Sequence, residues 1–383
     1  MVLFKDDNPT PQGQKLNIEK LVNKAQQVAD EYPDEALKIA SDILNVNPDE
    51  PRALFIAGFI FMRAERYGLA YAMNERASRI VPYREQVWNN MGIALMKMNR
   101  IAEARECLEK SLKITRDNTA ALNNMALIEV NEGNPQKSIN LAFESLKQDA
   151  NQWDVRETLG YANLMLGKWQ AGWEGYEAMV GRSSHRTCEP RGDEPYWTGQ
   201  PVKTLHIRGE QGIGDEISFA SMINDVPYKV VLECDRRLEG LFKRSFPQCT
   251  VHGTRFDKSI YWDDAFDAWC LIGTLGKHYR TKDADFNGNP YLVADPLRKT
   301  QWRALLDSLG DKPKIGIAWT GGLPDTNGER RSIKLLDMLP ILKQDATFIS
   351  LQYKNPQAEI DALEQQHGIK VHHFPRSEER RVG

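Results

Sequence analysis

The pattern of apolar and polar residues changes about halfway along the chain. In residues 1–181, apolar side chains recur with the three- and four-residue spacing of amphipathic helices. From Pro201 onward, short apolar runs alternate with helical stretches instead. That alternation is typical of parallel βαβ units. The chain is therefore predicted to begin with an all-helical part and to continue as an α/β part.

The helical part contains an internal repeat. Pro48 and Pro82 stand 34 residues apart, and setting each proline at the end of a unit places small residues where the two helices of a unit would cross. That period is typical of the tetratricopeptide repeat. The expected unit starts are Asn17, Pro51, Glu85, Thr119 and Trp153. The small residues are Gly58, Gly92, Ala126 and Gly160 in the first helices, and Ala36, Ala70, Ala104, Ser138 and Gly172 in the second.

We interpret residues 1–181 as a tetratricopeptide α-solenoid of about five units. The first unit shows only its second helix clearly, at residues 34–47, and the aromatic residues of 167–182 predict a closing helix. Such an array can bind a protein or an extended peptide in a concave groove. The alternative is a rigid spacer or a dimerisation surface.

Four asparagines are candidates for the groove, because they recur at equivalent positions of two first helices. Their amides can hydrogen-bond the backbone of a peptide partner. The alternative is that they are solvated polar positions on a helix surface. These residues are Asn89, Asn90, Asn123 and Asn124.

The α/β part is predicted to hold two Rossmann-like domains in series, after an aperiodic linker at 182–200. The first domain is expected at 201–296, and an incomplete second domain at 297–383. The fold class is therefore α + α/β. Predicted strands are 204–208, 229–234, 250–252, 268–271, 314–319, 347–351 and 370–373, and predicted helices are 215–223, 236–245, 297–309, 333–342 and 356–367.

Two loops that follow first strands have the composition of phosphate-binding loops. Glycines let a backbone approach a phosphate closely, and an arginine pair suits a diphosphate. The alternative for each loop is a plain strand-to-helix turn. The glycine spacing of the first loop also differs from the dinucleotide fingerprint, which disfavours an oxidoreductase. The candidate residues are Gly209, Gly212 and Gly214 in the first loop, and Thr320, Gly321, Arg330, Arg331 and Ser332 in the second.

Asp215 has two interpretations. Its carboxylate complements the dipole of the helix that it begins. It is also a candidate general base, which would take a proton from an acceptor hydroxyl at the mouth of a cleft between the two domains.

Composition narrows the function classes. A net charge of -3 gives no general attraction to nucleic acid, and no apolar run reaches the roughly 20 residues of a membrane helix. The five cysteines are scattered and never form a CxxC pair, which favours reduced thiols in the cytoplasm over a zinc site. We expect a cytoplasmic protein with no metal, no membrane span and no nucleic-acid partner.

Several motifs together resemble a known family. They are GWEGYE (172–177), PYWTG (195–199), GEQGIGDEISFA (209–220), VVLECDRRL (230–238), KIGIAWTGG (314–322), RRSI (330–333) and FISLQ (348–352). In this order the chain resembles bacterial tetratricopeptide-repeat proteins with a GT-B glycosyltransferase domain similar to ADP-heptose:lipopolysaccharide heptosyltransferases. The resemblance covers nearly the whole chain.

The resemblance implies an inverting, metal-independent sugar transfer from a nucleotide-sugar to a saccharide. In this family the aspartate that matches Asp215 is the proposed base, and the block that matches Thr320 to Ser332 contacts the donor phosphates. O-linked N-acetylglucosamine transferase also joins such repeats to a GT-B domain, so a protein acceptor is a further expectation. The alternative function, from another class, is a non-catalytic adaptor that binds protein partners.

The end of the chain departs from the family pattern. Relatives continue past FISLQ with further βα units and a donor-binding segment, so we expect the second domain to be truncated and this chain alone not to catalyse transfer. The last residues, RSEERRVG at 376–383, back-translate to a common sequencing-adapter read. We expect those eight residues not to be native.

Overall fold

The computed structural model describes residues 12–182, 186, 191–257, 259–321 and 331–374, with side chains from residue 17 onward. Arg330 and residues 376–383 lie outside the described residues, so the interpretations given for them stay predictions. Cys188 also lies outside them. The other four cysteines, Cys107, Cys234, Cys249 and Cys270, are free thiols.

Ten α-helices, paired in sequence, make up the described part of the chain as far as residue 177. The four later unit starts predicted from the repeat coincide with first residues of helices. The first unit has both of its helices, and the first begins before the predicted Asn17 because its polar sequence hides the helical period. The helices are α1 (Gln12–Val28), α2 (Pro33–Val46), α3 (Pro51–Arg63), α4 (Tyr67–Ile80), α5 (Glu85–Lys97), α6 (Ile101–Ile114), α7 (Thr119–Asn131), α8 (Pro135–Leu146), α9 (Trp153–Met165) and α10 (Trp169–Glu177).

The turn inside each of the last four units uses one residue in the left-handed region. Its φ is 57° at Glu65, 61° at Asn99, 79° at Gly133 and 68° at Gly167. These positions recur with the period of the repeat, just after the first helix of each unit. Glycine adopts this conformation without a steric penalty. Two of the four units place another residue there, so the fold and not the local sequence imposes the turn.

Small residues let the helices of a unit approach closely. A Cβ on Gly160 would lie 2.8 Å from the backbone of Gly175, so α9 and α10 are in backbone contact. At Gly92 the space is filled by the Leu108 side chain, 2.8 Å from such a Cβ. At Gly92 and Gly160, two of the predicted crossing positions, the helix pairs thus close tightly.

The first parallel sheet has the strand order β3-β2-β1-β4. Its strands are β1 (Thr204–Arg208), β2 (Lys229–Glu233), β3 (Thr250–His252) and β4 (Ala268–Leu271). The register pairs Arg208 with Glu233, and Glu233 with His252. Nearly every residue of β1, β2 and β4 is buried, as expected of a parallel sheet covered on both faces.

Three short helices follow strands of this sheet along the chain. They are α11 (Ile213–Phe219), α12 (Arg236–Ser245) and α13 (Leu275–Tyr279). α11 is shorter than the predicted 215–223, because the chain tightens to a 3₁₀ turn over Ala220–Asp225.

The second parallel sheet has the order β5-β6-β7 among the described residues. Its elements are α14 (Pro296–Asp307), β5 (Lys314–Ile317), α15 (Leu339–Leu342), β6 (Thr347–Ser350), α16 (Gln357–His367) and β7 (Val371–His372). The predicted helix 333–342 is divided into a 3₁₀ turn over Leu335–Met338 and a short α-helix over Leu339–Leu342, since Pro340 favours the first turn of an α-helix. A core around Ile317, Trp319 and Phe348 covers one face of the sheet.

The chain divides into two compact units. The first comprises Met1–Glu194, Glu210–Asp225 and Cys270–Gly288, and the second comprises Pro195–Gly209, Val226–Trp269 and Asn289–Gly383. The domain boundaries expected from composition, at 182–200 and near 296, stay predictions. Among the described helices, none is both long and apolar enough to cross a membrane.

Candidate functional site

Asparagine side chains connect the first helices of consecutive units. α5 contacts α7, and α7 contacts α9. The Asn124 Nδ2 donates to Asn89 Oδ1 at 3.0 Å, and the Thr158 hydroxyl donates to Asn123 Oδ1 at 3.0 Å. The Asn123 Nδ2 donates to Asp154 Oδ2 at 2.9 Å. We call Asn89, Asn123, Asn124 and Thr158 the amide ladder.

The predicted groove residues differ in solvent exposure. Asn89 is buried, whereas Asn90, Asn123 and Asn124 are half-buried. Part of the hydrogen-bonding capacity of three of them is used within the array. Their role toward a peptide backbone stays a prediction.

A row of apolar residues lies on the same face as the ladder. Phe59, Ile93, Leu127 and Tyr161 are equivalent positions of four consecutive units, and all four are half-buried. Ile93, Leu127 and Tyr161 each follow a ladder residue of their own helix by three or four residues, which places them on the same helix face, and Phe59 is the equivalent position of α3. We call these four residues the apolar row. The interpretation of the sequence missed it, although the same 34-residue period would have found it.

The first glycine turn is capped by its own aspartate. The Gly212 N–H donates to Asp215 Oδ2 at 2.9 Å, and Asp215 is half-buried. The only left-handed residue among 209–215 is Gln211, with φ 56°. A Cβ on Gly214 would meet nothing within 4 Å. The turn thus has open space at Gly214, and Asp215 has its second carboxylate oxygen available for other contacts. Gly209 belongs to the second compact unit, where its N–H donates to the Glu233 carbonyl at 2.7 Å.

A buried ion pair anchors the same turn inside the first compact unit. The Arg186 Nε donates to Glu210 Oε2 at 2.7 Å, and its Nη2 lies 3.2 Å from Oε1. The guanidinium also donates to the Tyr176 carbonyl at 2.7 Å and to the Thr274 hydroxyl at 3.1 Å. Glu210 accepts from the Gly273 N–H at 2.8 Å.

The electrostatics of this network follow from burial. Burial raises the pKa of the Glu210 carboxyl, and the Arg186 guanidinium opposes that rise. Burial also raises the pKa of Tyr176, whose ring carries the Arg186 guanidinium 4.1 Å from its centroid. Because Arg186 contacts α10, Glu210 and Thr274 together, it joins three separate segments of the chain. No sequence signal pointed to it, since it lies in the aperiodic linker.

The two ends of the second candidate loop meet. The Gly321 N–H donates to the Ser332 hydroxyl at 3.3 Å, and the Ile333 N–H donates to the Trp319 carbonyl at 2.8 Å. The Gln352 amide contacts the Thr320 hydroxyl. Thr320, Gly321 and Ser332 are thus brought together beyond the carboxyl end of β5. Arg331 is exposed beside them.

A third polar cluster lies at the carboxyl ends of β1 and β2. The Glu233 carboxylate is 3.2 Å from Arg208 Nε and 3.4 Å from His206 Nε2, and it accepts from the Thr254 hydroxyl at 3.0 Å. All four side chains are buried, so the cluster ties the strand ends together. Across the described ranges, no group of three or more His, Cys, Asp or Glu side chains could hold a metal ion.

Comparison with known proteins finds matches to the helical array. The sequence model of the tetratricopeptide repeat matches residues 85–118, the unit formed by α5 and α6. A solved structure of Pseudomonas aeruginosa PilF aligns with 45% of this chain and 79% of PilF, at 15% identity and a TM-score of 0.41.

Two curated proteins are similar in sequence. Protein FlbA of Caulobacter vibrioides is 28% identical over 76% of this chain and 52% of FlbA. The tetratricopeptide repeat-containing protein trd-1 of Caenorhabditis elegans is 21% identical over 39% of this chain and 19% of trd-1. This chain therefore spans about half the length of FlbA and about a fifth of trd-1. With the family match, the helix pairs from α1 to α10 form a tetratricopeptide-repeat solenoid, followed by an α/β part with parallel sheets.

Proposed function

We propose that this chain is a protein-interaction scaffold whose array binds an extended polypeptide along its first helices. The observation that carries the proposal is the apolar row beside the amide ladder. The row offers one half-buried apolar side chain in each of the last four units, and partial exposure leaves surface for a partner to cover. The amides beside it can hydrogen-bond the partner's backbone.

The spacing of the row favours a particular partner pattern. Packed helices lie about 8–10 Å apart, and an extended chain advances about 3.3 Å per residue. An extended partner would therefore present every third side chain to successive first helices. We expect apolar residues at positions i, i+3 and i+6 of the bound peptide.

Charge further favours one orientation of that peptide. Lys97 is exposed four residues after Ile93 of the row, whereas the exposed Asp154 begins the last unit. A partner with an acidic end near α5 and a basic end near α9 would complement this distribution.

The test is selection of linear peptides from a displayed random library on the whole chain, followed by calorimetric titration of the selected peptides. The double variant Ile93→Gln, Leu127→Gln should weaken binding about tenfold or more, since about 1.4 kcal/mol corresponds to a factor of ten. The matched control is Ile114→Gln, Phe143→Gln, which changes exposed apolar residues on second helices. This control should leave the affinity for the peptide within about twofold, because its two residues lie outside the row.

The opposite ranking of these two variants would show that the peptide binds outside the row. Failure to select any peptide that binds the unchanged chain would also overturn the proposal. Far-ultraviolet circular dichroism of both variants checks that the array stays folded.

A second candidate function, sugar transfer, is proposed for the α/β part. It is supported by the motif resemblance and by the convergence of Thr320, Gly321 and Ser332. In this mechanism Asp215 takes the proton of an acceptor hydroxyl, whose oxygen forms a bond to the anomeric carbon of the sugar. The bond from that carbon to the nucleoside diphosphate breaks with both electrons leaving on the diphosphate. The motif resemblance separately assigns donor-phosphate contacts to the block from Thr320 to Ser332.

Titration of UDP-, ADP- and GDP-linked sugars into the chain tests this function. The double variant Thr320→Val, Ser332→Ala should weaken binding of the accepted donor, because it removes two hydroxyl groups that contact phosphate. Asp215→Asn should keep donor binding and, in a longer protein that turns over, should abolish transfer. If none of these donors binds to the chain or to a longer protein, the scaffold function stands alone.

A further inference from the structure

α14 lies over the second sheet without burying a single residue. Its apolar residues Leu297, Trp302 and Leu305 are exposed, as is Leu351 just beyond β6. Parallel sheets normally have both faces covered by tightly packed helices. Here α14 instead borders two adjoining cavities, of about 390 and 560 Å³. Both cavities lie within the second compact unit.

The smaller cavity has apolar walls and a few polar groups. Trp302 and Phe374 meet edge to face there, with ring centroids 5.8 Å apart. Ser350 and Gln352 also line it, and both are buried. A volume of a few hundred Å³ with mostly apolar walls and few polar groups is typical of a small-molecule site. The other lining residues are Leu306, Lys314, Gly316, Ile349 and Leu351.

The larger cavity is lined by more basic than acidic residues. Five of its lining residues are basic, against two acidic ones, Asp295 and Asp307. The ion pair between Arg244 and Asp295 is long, at 4.0 Å. An excess of basic over acidic residues around a cavity raises the local concentration of anions. The basic residues are Arg244, Arg298, Lys299, Arg303 and Lys314.

The two cavities are continuous, because Trp302, Leu306 and Lys314 line both of them. An aromatic surface and a cationic surface therefore meet around the same three side chains. A ligand that satisfies both must carry a ring and an anionic group a short distance apart. Arginine guanidinium groups bind phosphate and similar oxyanions through paired N–H donors.

We propose that these cavities form one binding site for a small aromatic anion. The ring lies against Trp302 and Phe374, and the phosphate or sulfonate group faces Arg298, Arg303 and Lys314. The site lies beside α14, on the sheet face that carries Gly316 and Ile349. Gln352 lines the smaller cavity and also contacts Thr320 of the loop beyond β5, but the aromatic and basic residues of the site are not part of that loop. The inference depends on neither proposed function.

Fluorescence titration with 8-anilinonaphthalene-1-sulfonate tests the site on the whole chain. We expect saturable binding of one dye per chain that weakens as salt is added, because the anionic group contributes through screened charge. Trp302→Ala should weaken binding at least tenfold. Arg298→Glu with Arg303→Glu should do the same.

Two controls separate the site from general surface binding. Lys343→Glu with Tyr353→Ala changes one exposed cation and one exposed ring of the same compact unit outside both cavities, and it should leave dye affinity unchanged. The neutral dye N-phenyl-1-naphthylamine should lose affinity with Trp302→Ala but not with the arginine double variant. Thermal melts confirm that each variant is folded.

Competition defines the ligand class. Phenyl phosphate should displace the sulfonate dye, whereas inorganic phosphate at the same concentration should not. Equal displacement by both would show that the aromatic cavity plays no part and would overturn the proposal. Dye binding that is the same in all variants would overturn it as well.

Discussion

The last helix pair of the array, α9 and α10, is packed much more tightly than the second sheet. α9 and α10 pack until their backbones touch at Gly160 and Gly175, and the adjacent Arg186 is completely enclosed. In the second sheet, Ile315 of β5 is 39% exposed and Leu351 is 63% exposed. The first region is closed by contact between backbones, whereas the second has cavities of several hundred Å³.

The two regions also differ in the burial of their charged side chains. Arg186 is buried and contacts a carboxylate, a carbonyl and a hydroxyl at hydrogen-bond distance. The cations around α14 keep solvent contact instead. A buried charge must be paired to be tolerated, and an exposed one needs no partner. The closely packed region is thus suited to hold a turn in place, and the open region is suited to accept a ligand.

The largest effect that would test this difference is expected from Arg186→Met. The change leaves the Glu210 carboxylate buried without its cation, and breaking such a pair typically costs about 3–5 kcal/mol. The first compact unit should unfold at a clearly lower temperature in differential scanning calorimetry. Hydrogen exchange should also increase at Gly273, whose N–H donates to Glu210.

A second variant tests whether the loss of stability comes from the unpaired Glu210 carboxylate. In Arg186→Met, Glu210→Gln the neutral amide oxygen can still accept from the Gly273 N–H, so part of the lost stability should return. If the single variant melts like the unchanged chain, the ion pair does not anchor the turn and the comparison between the two regions loses its main support.

Much of the fold could be predicted because it follows from local periodicity. The 34-residue repeat located four first helices, and β1, β3 and β4 coincide with predicted strands. Short runs of β-branched residues between turn signals fix strands locally. The second candidate loop was located from a predicted strand followed by glycine and arginine residues, and its role toward a phosphate stays a prediction.

Other features could not be predicted, because they depend on contacts between distant positions. Arg186 lies 24 residues from Glu210 and 88 from Thr274, in a segment with no period. The cavities beside α14 depend on how a helix packs on a sheet, which no local pattern records. The amide ladder could be predicted only in part. The sequence shows that the asparagines recur, but their hydrogen bonds to one another depend on how adjacent units stack.

An intermediate effect is expected from adding one methyl group in each region. In Gly175→Ala the new Cβ would lie 2.5 Å from the Gly160 Cα, and overpacking of this kind costs about 1–3 kcal/mol. In Gly316→Ala the new Cβ would meet the end of the Leu351 side chain, at 2.7 Å. That side chain is exposed and free to move, so the change should stay within about 0.5 kcal/mol.

Chemical denaturation of both variants, followed by circular dichroism, measures this contrast. Equal losses of stability would mean that the second sheet is as tightly packed as the closing pair. A loss at Gly316 larger than at Gly175 would reverse the comparison.

The smallest effect concerns pH and one histidine in each region. Burial lowers the pKa of His278 in α13, and Lys277 lowers it further; burial and Lys370 do the same for His372 in β7. Each folded pKa is therefore below the unfolded value of about 6.5, so the unfolded chain binds more protons in that window. Stability should fall as the pH drops from about 6.5 through the folded pKa values.

His278→Gln and His372→Gln should each reduce that loss, measured as the difference in melting temperature between pH 7.5 and pH 5.5. Because His278 belongs to the first compact unit and His372 to the second, each substitution should protect the unfolding of its own unit. A variant that loses as much as the unchanged chain would show that its histidine is equally accessible to protons in both states. If only His278→Gln protects, the second sheet is open enough for water to solvate His372 fully, and the difference in packing between the two regions is larger than the cavities alone indicate.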